Sequence, residues 1–391
     1  MGRWVPPVRT ACTAHAVAAA VAAGFSGMTG ARQALPEWLR ARFGCLDALL
    51  VDSGTSALML ALSSGKGARD SPVALPAYGC FDLATAALGA NAGVVLYDVE
   101  PDTLAPETES LDRVLATGVR AVVLVHLFGI PLPFADLRAR VEASGATVVE
   151  DAAQGTGASL GGRALGGLGA VGILSFGRGK GFGGAGGGAL LANDTDSAEW
   201  LGSLPPLAAG PRAIGAAAGL AIQSVFGTSV LYGIPASLPF LRLGETIFRP
   251  PHPPTAIAAA AVAAAWAGAD PAIAEAQVRR ERAARLVRDT EKVGIRTPRV
   301  PGGAVPGYLR LPIVCSAQRR AHAEGRATRR LGIMPGYPCA LTDLPGFGDR
   351  VLNRRDRFPG ARELAARLVT LPTHGGLTDR DLWRVEAWLA A

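Results

Sequence analysis

Between Leu46 and Asn193 the chain repeats one pattern: a short run of Val, Leu, Ile and Ala, a turn, then a stretch with apolar residues at helical spacing. "DALLVDSGTSALMLALSSG" reads as strand, turn and helix, and "SPVALPAYGCFDLATAALGA" repeats the scheme. "AGVVLYDVEP", "RAVVLVHLFG" and "ATVVEDAA" are further runs rich in β-formers. Strands without polar alternation are buried on both faces, as happens when helices cover a mostly parallel sheet on each side. Ligands of such sheets collect beyond the carboxyl ends of the strands. The residues at those ends are therefore the ones to watch: Ser53-Gly54-Thr55-Ser56, Tyr78 after Pro76, His126, and the acidic pair Glu150-Asp151. His126 reads as a structural strand-end residue.

The pattern changes near Leu204. From Arg212 to Arg242 no charged residue occurs, in "AIGAAAGLAIQSVFGTSVLYGIPASLPFL". The first twenty or so of these residues predict a helix apolar all round, broken by Gly233, Pro235 and Pro239. Its hydrophobicity leans on Ala and Gly and includes Gln223 and Ser224, which suits a core or interface helix, or one lying on a membrane surface, better than a full span. "RPPHPP" reads as a linker, with Thr255 as the cap of an alanine-rich helix ending near Trp266. A long Arg/Glu-patterned helix, "PAIAEAQVRRERAARLVRDTEKVG", the strand-like "GYLRLPIVC" and a closing helix through "LTDRDLWRVEAWLAA" imply a smaller α+β domain. The expected division is an N-terminal arm and large domain over 1–250, with the apolar insert at about 204–245, and a linker, long helix and small domain over 251–391.

The formal charge of +7 comes almost entirely from scattered arginines, with no basic block of the kind nucleic acids select. Such a field still favours a phosphorylated ligand. Five cysteines lie far apart without a CxxC pair, so neither a disulfide framework nor a metal site is expected. The N-terminus reads as an arm followed by a helix and not as a signal peptide, which fits a cytoplasmic protein, at most peripheral at the inner membrane face.

Lysine occurs only at Lys66, Lys180 and Lys292, and Lys180 stands in "SFGRGKGFGGAGGGALL", a segment almost without side chains. Glycine costs order there, so something must fill the space. The turn "VDSGTSAL" puts Gly54, Thr55 and Ser56 at a helix start, where free amides and the helix dipole hold an anion such as phosphate. "VVEDAAQG" ends a buried strand with Asp151, whose carboxylate is placed to keep a ring nitrogen protonated. A phosphate cradle, a buried carboxylate and a solitary lysine together describe the needs of pyridoxal 5'-phosphate.

These residues resemble the DegT/DnrJ/StrS aminotransferases, which make amino sugars from keto-sugars on the fold-type-I scaffold. The likeness runs through "SGTSAL", "LPAYGCFDLATAALGANAGVVLYDVEPDTL", "VHLFGIP" and "VVEDAAQGTGASLGGRALGGLGAVGILSFGRGKGFGGAGGGALLAN", and returns in "FPGARELAARLVTLPTHGGLTDRDLWRVEAWL". It implies a large domain with a mostly parallel seven-stranded sheet and a small C-terminal α+β domain. It implies that Lys180 is the Schiff-base and proton-moving lysine and that Asp151 pairs with the pyridine nitrogen. Gln154 would bond the ring hydroxyl, and Gly54, Thr55 and Ser175 would hold the phosphate with Ser56 beside them.

The chain departs from the family in three places. Cys80 stands where relatives stack an aromatic residue on the ring, which leaves Phe81, Tyr78 or Cys80 itself for that face. Gly186 replaces a glutamate six residues beyond the lysine, and Arg249 is the one equivalent of an Asn-Tyr-Arg-Met segment that reaches across the dimer. The expected function is transfer of an amino group from glutamate to a nucleotide- or lipid-linked keto-sugar by a homodimer. Two alternatives stand beside it: a non-catalytic protein that keeps the cofactor fold, and an enzyme acting on a hydrophobic substrate at the membrane through 213–241.

Overall fold

The sheet is built from the runs identified above. The computed structural model describes residues 3–26, 30–63 and 70–391, so Lys66 lies outside the described residues. Strands β1 (Asp47–Val51), β2 (Val73–Pro76), β3 (Val94–Tyr97), β4 (Ala121–Val125) and β5 (Thr147–Asp151) precede a small hairpin, β6 (Ser159–Leu160) and β7 (Arg163–Ala164). β8 (Val171–Ser175) and β9 (Gly188–Ala192) complete a seven-stranded sheet of order β1-β9-β8-β5-β4-β2-β3. β9 is antiparallel to both of its neighbours, and the other strands share one direction. The carboxyl ends of β1, β2, β4, β5 and β8 therefore open on the same edge.

Helices α1 (Ala14–Ser26), α2 (Ala31–Phe43), α3 (Gly54–Leu62), α4 (Asp82–Gly89), α5 (Thr108–Leu115), α6 (Phe134–Ala143) and α7 (Thr195–Gly202) belong to this part of the chain. β2, β3 and β4 are buried along their whole length, as unalternated Val/Leu runs require. α3 starts where it does because the Ser53 side chain accepts from the Ser56 amide at 3.0 Å.

The uncharged segment differs from its expected form. α8 (Ala213–Phe226) stops at Gly227, and the short α9 (Gly233–Ala236) contains Gly233 and Pro235 instead of being broken by them. α8 buries Ala217 and Leu220, while Ile214, Ile222 and Val225 are exposed, so the helix is not apolar-buried all round. Among the described residues no helix is long and apolar enough to cross a membrane. Thr255 does not cap α10 (Ala259–Ala267): its hydroxyl donates to Asp52 Oδ2 at 2.9 Å, and Ala258 occupies the cap. α10 sits against α1, so its alanines fill a narrow helix–helix gap.

α11 (Ala269–Lys292) leads to β10 (Ala304–Val305), which pairs with β6. A three-stranded antiparallel sheet follows, with β13 (Leu368–Leu371) between β11 (Leu311–Val314) and β12 (Met334–Pro335). Around it lie α12 (Ala317–His322), α13 (Arg326–Arg329), α14 (Pro359–Arg367) and α15 (Asp379–Ala390). Leu286, Ile313, Ile333, Val369 and Val385 form a second buried apolar cluster here. The N-terminal arm packs on this part of the fold: Arg3 pairs with Asp381 at 2.9 Å, the Val5 amide donates to the Arg330 carbonyl, and His374 Nε2 bonds the Pro6 carbonyl at 2.8 Å.

Candidate active site

Several polar side chains and one helix start converge at the shared strand edge. A cleft there is lined by Gly54 and Thr55 after β1, Cys80 and Asp82 after β2, Asp151 at the end of β5, Gln154, Ser175 at the end of β8, and Lys180. The loop from β8 to β9 carries Lys180 and owes its path to glycine. Gly179, Gly181, Gly183, Gly184, Gly186 and Gly187 all have φ between 70° and 100°, which side-chain-bearing residues rarely adopt. The Gly179 amide donates to Thr10 Oγ1 (3.1 Å), the Thr156 hydroxyl donates to the Lys180 carbonyl (3.0 Å), and the Gly184 amide returns to the Phe176 carbonyl (2.8 Å).

The pair Glu150-Asp151 divides its work because successive strand residues face opposite sides. Asp151 faces the cleft and accepts the Ala153 amide at 2.9 Å. Burial pushes its carboxyl above the ordinary range, opposed by the Ala153 amide and the nearby charge of Lys180. Glu150 is fully buried and accepts the amides of Gly166 (2.6 Å), Leu168 (2.6 Å) and Gly169 (2.9 Å). His126 Nδ1 accepts the Leu132 amide, so its Nε2 carries the proton and donates to Glu150 at 3.0 Å. The two bonds give the histidine a structural place at the strand end, as the sequence reading expected.

Cys80 lines the cleft and donates its thiol to Asp82 Oδ2 at 3.3 Å. Burial, reinforced by the Asp82 charge, pushes the thiol up to about 12. It stays protonated near neutrality and offers a small soft face, not a nucleophile. Phe81 and Tyr78 are buried in the core instead; the Tyr78 hydroxyl accepts the Tyr337 amide at 3.0 Å. Arg249 is exposed, and a side chain built at Gly186 would meet open space.

Gln154 is more constrained than its sequence context suggested. Its Oε1 accepts the Phe128 amide (3.0 Å) and its Nε2 donates to the Tyr337 hydroxyl (2.8 Å), tying β5 to the segment after β12. Ser56 is turned into the helix, its hydroxyl bonded to Ser53. Three contributors were not singled out from sequence: Asp82, Thr156 and Arg279. Arg279 of α11 is 1% exposed and donates to the carbonyls of Gly307 and Thr156, each at 2.8 Å. Burial pushes its guanidinium down to about 10. Only Asp82, in the first turn of α4 beside Cys80, carried a local signal, the preference of an acid for a helix start.

The residues fit a phosphorylated aldehyde ring. An added Cβ at Gly54 would lie 2.8 Å from Ser175 Cβ, so bare backbone is needed where the cradle closes. Ser53 takes the Ser56 amide, and helix geometry leaves those of Gly54 and Thr55 without an intrahelical acceptor. An acid and an amine stand further along the same cleft.

The model of the DegT/DnrJ/EryC1/StrS aminotransferase family matches residues 10–206, just over half of the chain. The L-glutamine:2-deoxy-scyllo-inosose aminotransferase of Streptomyces fradiae is 37% identical over 169 residues, 42% of this chain and 40% of that protein. The chain thus spans about two fifths of the length of that relative. Among solved structures, AtS13 from Actinomadura melliaura aligns with a TM-score of 0.77 over 99% of this chain and 98% of its own, at 21% identity. Spr1654 from Streptococcus pneumoniae, in its PLP form, aligns with a TM-score of 0.76 over 100% and 97%, at 16% identity. At these identities the structural matches show a shared fold.

Proposed function

Because the chain belongs to the DegT/DnrJ/EryC1/StrS aminotransferase family, we propose that it is a pyridoxal-phosphate-dependent aminotransferase. It moves the amino group of L-glutamine or L-glutamate onto a keto-sugar in glycan or natural-product biosynthesis. The donor follows the name of the Streptomyces fradiae relative together with the family resemblance. The observation that carries the reading is the convergence of Lys180, Asp151 and the start of α3 on one cleft.

When bound, pyridoxal phosphate supplies an aldehyde carbon that takes an amine and a ring that, once protonated, accepts an electron pair. Gly54, Thr55 and Ser175 would hold the phosphate. Asp151 would face the ring nitrogen, where its carboxylate, favoured against burial by the Lys180 charge, would keep that nitrogen protonated. Gln154, with one Nε2 hydrogen not used by Tyr337, would offer it to the ring hydroxyl. Lys180 would hold the cofactor through its amine and would be the group that moves the proton at the donor's α-carbon. Cys80, which lines the cleft, would face the ring where the family resemblance implies an aromatic side chain.

The test is spectroscopic. Protein loaded with pyridoxal phosphate is expected to absorb in the visible, to lose that band on adding L-glutamine or L-glutamate, and to release one equivalent of the matching keto acid. Lys180→Ala should abolish both events. A band that persists under saturating donor would favour a binding protein without turnover and end the aminotransferase reading.

A second surface carries its own reading. Ile222, Val230 and Phe240 are 60%, 77% and 76% exposed, and Phe25 on α1 is 78% exposed. No lysine or arginine lies within residues 213–241, so the segment lacks the cations that anionic headgroups attract. We infer that a second copy of the chain covers this surface, giving a homodimer. Light scattering should report twice the monomer mass; a monomer that pellets with anionic vesicles would instead support the membrane-face alternative.

A further inference from the structure

A second cavity, about 480 Å3 in volume, lies at the root of the N-terminal arm and shares no lining residue with the Lys180 cleft. Arg3, Trp4, Val230, Ile234, Arg326 and Arg330 stand around it. A pocket of this size takes a small organic molecule. The guanidinium carbons of Arg326 and Arg330 lie 5.7 and 5.2 Å from the centre of the Trp4 ring, so one indole holds both cations. A Cβ at Gly233 would lie 2.7 Å from Trp4 Cδ1, and bare backbone is what lets the indole settle against α9. The Val5 amide donates to the Arg330 carbonyl at 2.9 Å, which ties the arm down beside the cavity.

The charges here do not balance. Arg3 is paired with Asp381, Arg329 and Arg242 share Glu245, and Glu324 is taken by Arg320. Among the described residues Arg326 and Arg330 make no ion pair, and Arg330 Nε is buried without a partner. Like charges four residues apart on a helical turn repel, and stacking on an indole leaves both charges in place. An anion between the two guanidiniums removes that repulsion, and the forked N–H donors of arginine match phosphate oxygens. Beside them Val230 and Ile234 are 77% and 49% exposed, which sets apolar surface on the wall of an anion site. Val230 belongs also to the surface assigned above to a second copy, so the cavity borders that contact.

We propose that this cavity binds a soluble phosphate ester with an apolar or aromatic body, the phosphate between Arg326 and Arg330 and the body against Val230 and Ile234. None of these residues lines the Lys180 cleft, so the site stands or falls apart from the aminotransferase reading.

The test is calorimetric titration of dialysed, cofactor-loaded protein with 1-naphthyl phosphate and, separately, with inorganic phosphate. Wild type should bind the ester more tightly than the bare anion. The double variant Arg326→Met/Arg330→Met should weaken both by about 10- to 100-fold, the range for lost charge-assisted bonds. Arg326 is exposed, so Arg326→Met alone gives a variant with little risk to folding and should cost about tenfold. Ile234→Ser should weaken the ester about three- to tenfold and leave inorganic phosphate unchanged. Arg329→Met, which removes a neighbouring cation from outside the cavity, should change neither. Naphthyl phosphate should also raise the melting temperature of wild type and not that of the double variant. No binding by wild type, equal binding by wild type and the double variant, or an equal loss in Arg329→Met would overturn the proposal. Arginine-dependent binding to phosphatidic acid vesicles without binding of naphthyl phosphate would overturn it as well, by assigning the phosphate to a lipid headgroup.

Discussion

The hydroxyl of Thr156 donates to the main-chain carbonyl of Lys180 at 3.0 Å, and the Thr156 carbonyl in turn accepts from the buried guanidinium of Arg279. The long helix α11 thereby braces the loop that carries Lys180. Thr156→Val should cost about 1 kcal/mol of stability, the worth of one hydrogen bond, yet slow the donor half-reaction by about tenfold as the amine loses its fixed position. Arg279→Met leaves two buried carbonyls unpaired and should cost about 2–4 kcal/mol in urea unfolding. Half-reaction rates unchanged in Thr156→Val would show that the brace is structural only.

Gly54 meets Ser175 with backbone alone, at the turn proposed to cradle the phosphate. In Gly54→Ala the new Cβ meets Ser175 Cβ at 2.8 Å, and its Oγ at 3.0 Å. The strain should lower stability by about 1–3 kcal/mol and weaken pyridoxal phosphate about tenfold or more, read by titrating the visible band.

Asp151 is a buried acid whose carboxyl lies above its ordinary value of 3.8 because of burial. The folded, cofactor-free protein therefore binds more protons than the unfolded chain above pH 3.8, so this group's contribution falls as pH rises through the raised value. Asp151→Asn should remove that dependence and raise the stability of the cofactor-free protein near pH 7 by about 1 kcal/mol, while slowing the loaded enzyme about 100-fold or more. Melting curves from pH 5 to 8 with single-turnover rates check both halves.

Glu150 organises the loop behind the strand edge. Glu150→Gln places an amide donor against three backbone donors and His126, and is expected to cost about 2–4 kcal/mol. Urea denaturation measures it, and Glu150→Asp, which keeps an acceptor-only group, should lose less.

His374 ties the N-terminal arm to the C-terminal part of the fold through Pro6. Burial, with help from Arg9 and Arg282, pushes its imidazolium down from 6.5 to about 4. The unfolded chain binds the extra proton between those values, so stability is full above pH 6.5 and falls on acidification toward pH 4. The loss from pH 7 to pH 5 should be about 2 kcal/mol, and His374→Gln should flatten it.

The strand–helix alternation, the parallel sheet and the clustering of Gly54, Asp151 and Lys180 at one edge were legible from residue order. Each rests on local rules: unalternated apolar runs make buried strands, a Ser53 cap starts α3, and strand ends face ligands. The opposite duties of Glu150 and Asp151 followed from strand period once the strand was placed. The role of Arg279 was not legible, because its side chain is defined by carbonyls 28 and 123 positions away. α11 looked like a solvated charged helix, and only packing against the Lys180 loop buried Arg279. Sequence period determines which face a residue takes, whereas the tertiary structure decides what lies opposite that face; in a buried site, it is the neighbour that sets the charge, the protonation and the chemistry.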